Sequence, residues 1–390
     1  MFIHSNKLRH LLRPDQYYSE EQYRAELRHV FEPAWHLVAT TKNLARPGDF
    51  VSLELLGRPV LIRNMDGELR AFLNVCPHRH SLLTSKTKGS SDQLRCQYHG
   101  WEFNAEGRTG RIPDAQSFRP FDRENACLQR FRVATCGPLV YVSFDPEGPT
   151  LPEFLGPLFE PWRASFEPPY APAMFAVRDF PCNWKVAVEI GLETYHSPCV
   201  HPKTFGPYPD AENCNHVLED GYSTFSQRIK GDSTRFERAA NGLIRWIGGP
   251  VRGTYSQHIV HPHLMWAEVD VGSLASCVLP LSPTTCRIHA CAFTLRGNRG
   301  GLIAPVLTSL LRGFMLLGGQ KIANEDASMY PIVQRGLTSS PHPGVISMRE
   351  ERIYALHQYL SRRCGGSEAD TRREQPEAQC QDLGEPSCSP

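Results

Sequence analysis

The chain has 390 residues, 41% hydrophobic and 21% charged, with a formal net charge of +1 at pH 7. That balance describes an ordinary folded protein with room for two domains, and it offers no surplus of positive charge for nucleic acid or an acidic membrane surface. Thirteen cysteines, an odd number scattered without tight pairing, argue against a disulfide framework and for a reducing, cytoplasmic setting.

The first sixteen residues lack a continuous apolar core and a small-residue cleavage site, so no signal peptide is expected. Residues 1–18 read as loosely structured. Ser19 before Glu20, Glu21 and Gln22 is a capping-box pattern, which predicts a helix to about Phe31, stopped by Pro33. These elements make residues 1–34 an N-terminal segment and helix. From Trp35 the hydrophobic period becomes two. Strands are expected over 35–40, 50–55, 59–63, 69–75, 94–96, 101–104, 131–136 and 139–144, which makes residues 35–146 a small all-β domain. Residues 147–173 are dense in proline and glycine and read as a connection, with a short helix around 152–159.

A helix is predicted from Asn183 through Tyr195, ended by Ser197-Pro198, and 204–220 reads as a loop. Strands resume over 222–229, 255–260, 264–271, 277–281 and 286–295, and helical periodicity over 304–317, 319–335 and 346–362. The most apolar run, 302–317, contains Pro305, Ser309, Arg312 and Gly313. It is too short to cross a bilayer comfortably and reads as a buried segment, so no membrane partner is expected. Residues 174–363 thus form a second, α+β domain, and the polar remainder, 364–390, is expected to be disordered.

Two clusters carry the chemistry. The first is Cys76-Pro77-His78, seventeen residues, then Cys96-Gln97-Tyr98-His99. Each loop offers one thiolate and one imidazole, the ligand set of a Rieske [2Fe–2S] cluster, in which both cysteines hold one iron and both histidines the other. A Cys₂His₂ zinc site uses the same residue types, but zinc fingers pair cysteine with cysteine and histidine with histidine. His80 is a competing imidazole, read as a loop side chain or pocket wall because only His78 keeps the Cys-x-His spacing. The second cluster is His196 and His201 at the end of the predicted helix. Two histidines and a distant carboxylate make the facial triad of non-haem Fe(II) oxygenases. Asp326, on a predicted helix, is the candidate third ligand and Glu325 the runner-up. On spacing alone His196 and His201 read as ordinary histidines. A cluster that delivers single electrons needs an acceptor, and this gives them a use.

The motifs CPH…CQYHGW, NWK…ExxLExYHxxxxH and ED…VQRGL together resemble the catalytic α subunit of Rieske non-haem iron oxygenases, of the aromatic-ring-hydroxylating type, over roughly residues 30–360. The Leu-Glu-x-Tyr-His form is nearer the branch of carnitine, glycine-betaine and choline monooxygenases. The resemblance implies a Rieske β-domain followed by a helix-grip catalytic domain with an antiparallel sheet. It implies Cys76, His78, Cys96 and His99 on the cluster and His196, His201 and Asp326 on a mononuclear iron. It also implies a head-to-tail homotrimer, in which Glu193 bridges His99 of one chain to His196 of the next. No flavin or nicotinamide motif is present, so electrons from NAD(P)H are expected through a flavin/iron–sulfur reductase or a ferredoxin. The implied activity is mono- or dioxygenation of a small aromatic or quaternary ammonium compound. Tyr208, Phe225, Trp246 and Trp266 are candidates for a cage around the cation, with core packing the default reading of each. A Rieske electron-transfer or binding protein with a non-catalytic second domain is the competing class. Three positions depart from the family: Ile190 stands where Asn is common, His261-Pro262-His263-Leu264 where relatives read Pro-Asn, and His80-Ser81 where small residues are usual. Ile190 and His263 are read as changes in the pocket.

Overall fold

A computed structural model describes residues 2–4, 8–118, 121–122, 125–203, 208, 210–228, 235–297 and 301–365. Alternating residues in the N-terminal half form β1 (Trp35–Thr40), β2 (Asp49–Leu55), β3 (Arg58–Met65), β4 (Glu68–Leu73) and β5 (Lys88–Ser90). With β8 (Arg130–Cys136) and β9 (Leu139–Ser143) they make an antiparallel sheet in the order β1-β9-β8-β4-β3-β2-β5. The short hairpin of β6 (Leu94–Arg95) and β7 (Glu102–Phe103) stands apart and carries the second Cys/His loop at its turn.

The second sheet is also seven-stranded and antiparallel. Its order is β10 (Tyr170–Phe180), β16 (Thr285–Leu295), β15 (Gly272–Ser282), β14 (Leu264–Val269), β13 (Thr254–Val260), β12 (Tyr222–Arg228) and β11 (Cys214–Leu218). Strand register decides what each face meets. Phe225, Gln257 and Ala267 are paired across the strands and share one face, while Thr224, His258 and Trp266 share the other. Ile259 and Met265 lie on the first face and pack with Trp184, Val188, Leu356 and Leu360 of the helices. Trp266 lies on the second face, in the core shared with β1 and the first sheet. The sheet therefore grips its helices on one side and leans on the cluster-bearing sheet with the other.

The helices on the gripped side are α4 (Trp184–Leu192), α7 (Ala304–Leu337) and α8 (Glu351–Arg363). The N-terminal segment is pinned to them. Glu26, at the end of α1 (Glu20–Glu26), is buried and accepts hydrogen bonds from Trp184 Nε1 and Lys185 Nζ, each at 2.6 Å. A buried charge pair is tolerable there because it is matched and hydrogen-bonded. Tyr17 Oη likewise donates to Glu189 Oε1 at 2.6 Å.

Several sequence expectations change. Part of 147–173, read as a connection, folds into α2 (Leu151–Leu155) and α3 (Phe159–Ala164) and begins β10. Pro152 sits in the first turn of α2, where no amide hydrogen is needed, and Leu151, Leu155, Trp162 and Phe166 are buried in the shared core. The loop expected over 204–220 contains β11. The two helices expected over 304–317 and 319–335 are one helix of 34 residues, which runs through Gly318-Gly319 and Pro331. Its apolar start is not buried throughout, since Val306, Leu310 and Leu317 are exposed. A further helix, α6 (Arg235–Trp246), was not legible in the pattern. The tail beyond Gly365 lies outside the described residues. Among those described, no helix is long and apolar enough to cross a membrane.

Candidate functional site

At the cluster loops, Cys76 and Cys96 are buried, and their thiols lie side by side. Burial pushes the Cys76 thiol up to about 11, a backbone hydrogen bond from His78 opposes it, and Cys96 adds to the rise. Binding to a cation removes that cost. The imidazoles of His78 and His99 also meet, with ring centroids 4.6 Å apart, and His78 stacks on Trp101 at 4.8 Å. His78 Nδ1 is buried with no hydrogen-bond partner, a lone pair awaiting an acid. Gly100 closes the second loop at φ +73°, where a Cβ would lie 2.7 Å from the Arg95 guanidinium. Donors gathered as sulfur with sulfur and nitrogen with nitrogen fit two irons with different ligands better than one tetrahedral zinc. His80 is exposed, with φ +58°, at the turn of the first loop.

The second site forms where α4 ends. The predicted helix to Tyr195 stops at Leu192, and Glu193 is extended. Its carboxylate takes over as local acceptor: Oε2 accepts the amide hydrogens of Tyr195 and His196, and Oε1 accepts the Nδ1 proton of His196. One helical turn, α5 (Ser197–Val200), then brings His201 round beside His196. Asp326 arrives from the middle of α7. His196 Nε2 and His201 Nε2 lie 3.2 Å apart, and Asp326 Oδ1 is 2.8 Å from His201 Nε2 and 3.3 Å from His196 Nε2. A six-coordinate ion with bonds near 2.1 Å has adjacent ligand atoms roughly 3.0 Å apart, so the three atoms match one face of an octahedron. Glu325, the runner-up, is turned to the other side of His201 and accepts from Nδ1 at 2.7 Å. With both Nδ1 protons held by carboxylates, both Nε2 atoms present lone pairs to one point.

Without an ion that convergence needs a proton. Burial lowers the His196 pKa, but hydrogen bonds to Asp326 and Glu193 outweigh it and raise it from 6.5 to about 9. An ion held by these three groups would have to displace this proton. The affinity for Fe(II) should therefore rise by about tenfold per pH unit as the pH increases from 7 toward 9, and anaerobic titrations at fixed ionic strength would measure it.

The proposed aromatic cage is not assembled. Trp266 lies on the far face of the sheet, stacked 3.8 Å from His258 and 4.7 Å from Trp162. Tyr208 is stacked on Tyr195 at 5.4 Å and capped by the Arg349 guanidinium at 5.2 Å. Trp246 is exposed, and only Phe225 faces the gripped helices. His263 is not a pocket residue either: it is wholly buried, with Nε2 2.9 Å from His36 Nδ1 in the shared core. Ile190 packs against the helix core.

Residues 34–131 match the Rieske [2Fe–2S] domain, and residues 167–366 match the ring-hydroxylating α-subunit family, catalytic domain. The chain belongs to that family. A carnitine monooxygenase oxygenase subunit of Acinetobacter pittii is 33% identical over 242 residues, which is 59% of this chain and 64% of that relative. A glycine betaine monooxygenase oxygenase subunit of Pseudomonas aeruginosa is 29% identical over 240 residues, 59% of this chain and 55% of the relative. The matched stretch thus spans less than two thirds of these relatives. In three dimensions the fold is that of a quaternary ammonium Rieske monooxygenase (TM-score 0.72, 20% identity, 92% of this chain and 99% of the other). A naphthalene 1,2-dioxygenase shares it at TM-score 0.70 and 18% identity, over 91% and 92% of the two chains. The α+β, helix-grip architecture expected of the family is the one described above.

The motifs do not point to Arg352, Gln257 and Ser223, which meet at the end of α4. A signal existed for the first. Arg352 stands four residues before Leu356 and seven before Tyr359, on the stripe of α8 that is buried.

Proposed function

We propose that this chain is the oxygenase component of a Rieske non-haem iron system, acting on a small organic substrate. The observation that carries the reading is the octahedral-face spacing of His196 Nε2, His201 Nε2 and Asp326 Oδ1, in a chain that also holds the paired Cys76/Cys96 and His78/His99 loops. Bound iron at these two places would supply O₂ activation and single-electron storage. The chain's own residues then have separable tasks. His196, His201 and Asp326 hold one face of the mononuclear iron. Glu193 and Glu325 keep the two Nδ1 protons in place and so aim the imidazoles. Cys76, Cys96, His78 and His99 hold the cluster, with the division at 35–146 and 174–363 separating the two tasks.

The reading includes a homotrimer in which the cluster of one copy serves the iron of the next through Glu193. The loop supports this: Tyr98, beside His99, is 58% exposed at its tip. It also includes a flavin/iron–sulfur reductase or a ferredoxin that passes electrons from NAD(P)H. In monooxygenation, O₂, two electrons and two protons would convert a substrate C–H bond to C–OH and release water. Attack beside a nitrogen would lead to demethylation or cleavage. The relatives' names point to quaternary ammonium and aromatic compounds as the classes to try.

The test is NADH-driven O₂ uptake with a surrogate reductase across quaternary amines and aromatic acids, with products read by mass spectrometry. Fully loaded protein should carry about three irons per chain and couple O₂ uptake to product. Two irons per chain and no substrate-dependent uptake would leave a Rieske electron-transfer protein instead.

A further inference from the structure

Arg352 is wholly buried. Its Nε donates to Ser223 Oγ at 3.1 Å, and its Nη1 donates to Gln257 Oε1 at 2.6 Å and to the Leu192 carbonyl at 3.3 Å. All three partners are neutral. Nη2 has no hydrogen-bond partner at all. A guanidinium keeps its charge at any ordinary pH, so burial without a carboxylate is costly and calls for a compensating anion.

Nearby acids do not supply one. Glu351, the adjacent residue, is already engaged: it accepts from the amides of Ile3 and His4 and from His4 Nδ1, and its Oε1 lies 2.8 Å from His216 Nδ1. Glu350 accepts from the Ser347 amide and has Glu193 and Glu189 as its charged neighbours. Burial pulls Arg352 down to about 9, and among the described residues the one group that opposes this is the Tyr255 hydroxyl, which is itself uncharged at ordinary pH. The field is felt around it, since His216, His258 and His261 are each held lower partly by Arg352.

The position ties this charge to the iron site. Leu192 immediately precedes Glu193. Gln257 and Ser223 lie on the sheet face that grips the helices, and Tyr255 is the next residue of β13 on that face. Burial pushes Tyr255 up to about 12, Arg352 pulls it down and Asp326 pushes it up, so the phenol senses both the guanidinium and the iron ligand. Arg352 thus holds the carbonyl one residue before the carboxylate that meets His196 Nδ1.

We propose that Arg352 is the anchor for a carboxylate on the substrate, which sets this site apart for acids, zwitterionic or aromatic, over neutral hydrocarbons and simple cations. The inference rests on the oxygenase reading only for the word substrate; the binding itself stands apart from turnover. Two free N–H groups on Nη2, backed by fixed partners on Nε and Nη1, suit an oxygen anion. A bare quaternary amine would meet a buried like charge and no assembled aromatic cage, whereas a betaine would bring its own counter-charge.

Calorimetric titration of the iron-loaded full chain, held anaerobic, compares glycine betaine with its methyl ester and benzoate with benzamide. In at least one pair the carboxylate should bind about 10- to 100-fold more tightly than the partner that lacks it. Arg352→Gln should bring that ratio close to one, and Arg352→Lys should restore part of it. Binding of the carboxylate and of the partner that lacks it within about twofold in both pairs overturns the proposal, as does a ratio that survives Arg352→Gln. The wild-type comparison needs no variant, so it decides the matter even where a variant fails to fold. A chain that prefers the acids yet takes up no O₂ sinks the oxygenase reading and keeps this one. Normal uptake with no acid preference does the reverse.

Discussion

Asp326→Ala should reduce iron from about three to about two per chain, leave the visible spectrum of the cluster unchanged, and lower substrate-dependent O₂ uptake by more than about 100-fold. The geometry sets the size of the effect. Asp326 Oδ1 lies 2.8 Å from one imidazole nitrogen and 3.3 Å from the other, so it is the only carboxylate oxygen among the described residues at the point where both lone pairs converge. Glu325→Ala should behave differently. Glu325 touches His201 through Nδ1, on the side away from that point. Its loss should weaken iron binding by about 10- to 100-fold through a poorly oriented ring, and excess Fe(II) should restore occupancy. Metal analysis before and after iron supplementation separates the two. If Glu325→Ala lost the iron irrecoverably and Asp326→Ala kept it, the ligand would move by one residue.

Glu193→Gln should leave the cluster spectrum intact and slow reoxidation of the reduced cluster under O₂ and substrate by about 10- to 100-fold, measured by stopped-flow absorbance. Gln cannot reproduce what Glu193 does. One carboxylate oxygen accepts two backbone amides while the other accepts the His196 Nδ1 proton. An amide has a single acceptor oxygen. If that oxygen stays with the backbone, the NH₂ group faces Nδ1 and favours the tautomer with the proton on Nε2, the atom proposed to hold iron. The variant should therefore need more Fe(II) to fill the site, and even when filled it should lack the charge proposed to couple cluster and iron. Turnover at the wild-type rate in iron-filled Glu193→Gln would remove that role.

Much of the site was legible because its signals are local. Cys76 and His78, Cys96 and His99, and His196 and His201 are each separated by five residues or fewer, so one loop or one helical turn can present both members of a pair. Family membership follows from the same motifs. Asp326 was reachable only because the motif around Asn324-Glu325-Asp326 resembles the family's. Spacing from His201 offered no guide, since α7 enters the site 125 residues later. The errors share a cause too. Pro152 and Pro157 looked like a linker because proline breaks helices in their interior, yet here it opens them and the apolar residues between find a core. Helical periodicity read as two stretches, 304–317 and 319–335, yet α7 runs on through Gly318-Gly319.

By itself, the sequence determined the candidate ligand types, their pairing into two loops and one turn, and the succession of an all-β part and an α+β part. Those depend on covalent spacing and on hydrophobic period. The tertiary structure alone decided which face of the second sheet looks at the gripped helices, and so put Trp266 and His263 in the shared core and Arg352 against Ser223 and Gln257 on the helix side. Which side of His201 Asp326 and Glu325 each meet turned likewise on the rotation of one long helix. Burial and the absence of a partner are sums over neighbours from distant parts of the chain. A buried guanidinium that lacks an anion becomes visible only when Leu192, Ser223, Gln257 and Glu351 have all been brought to it.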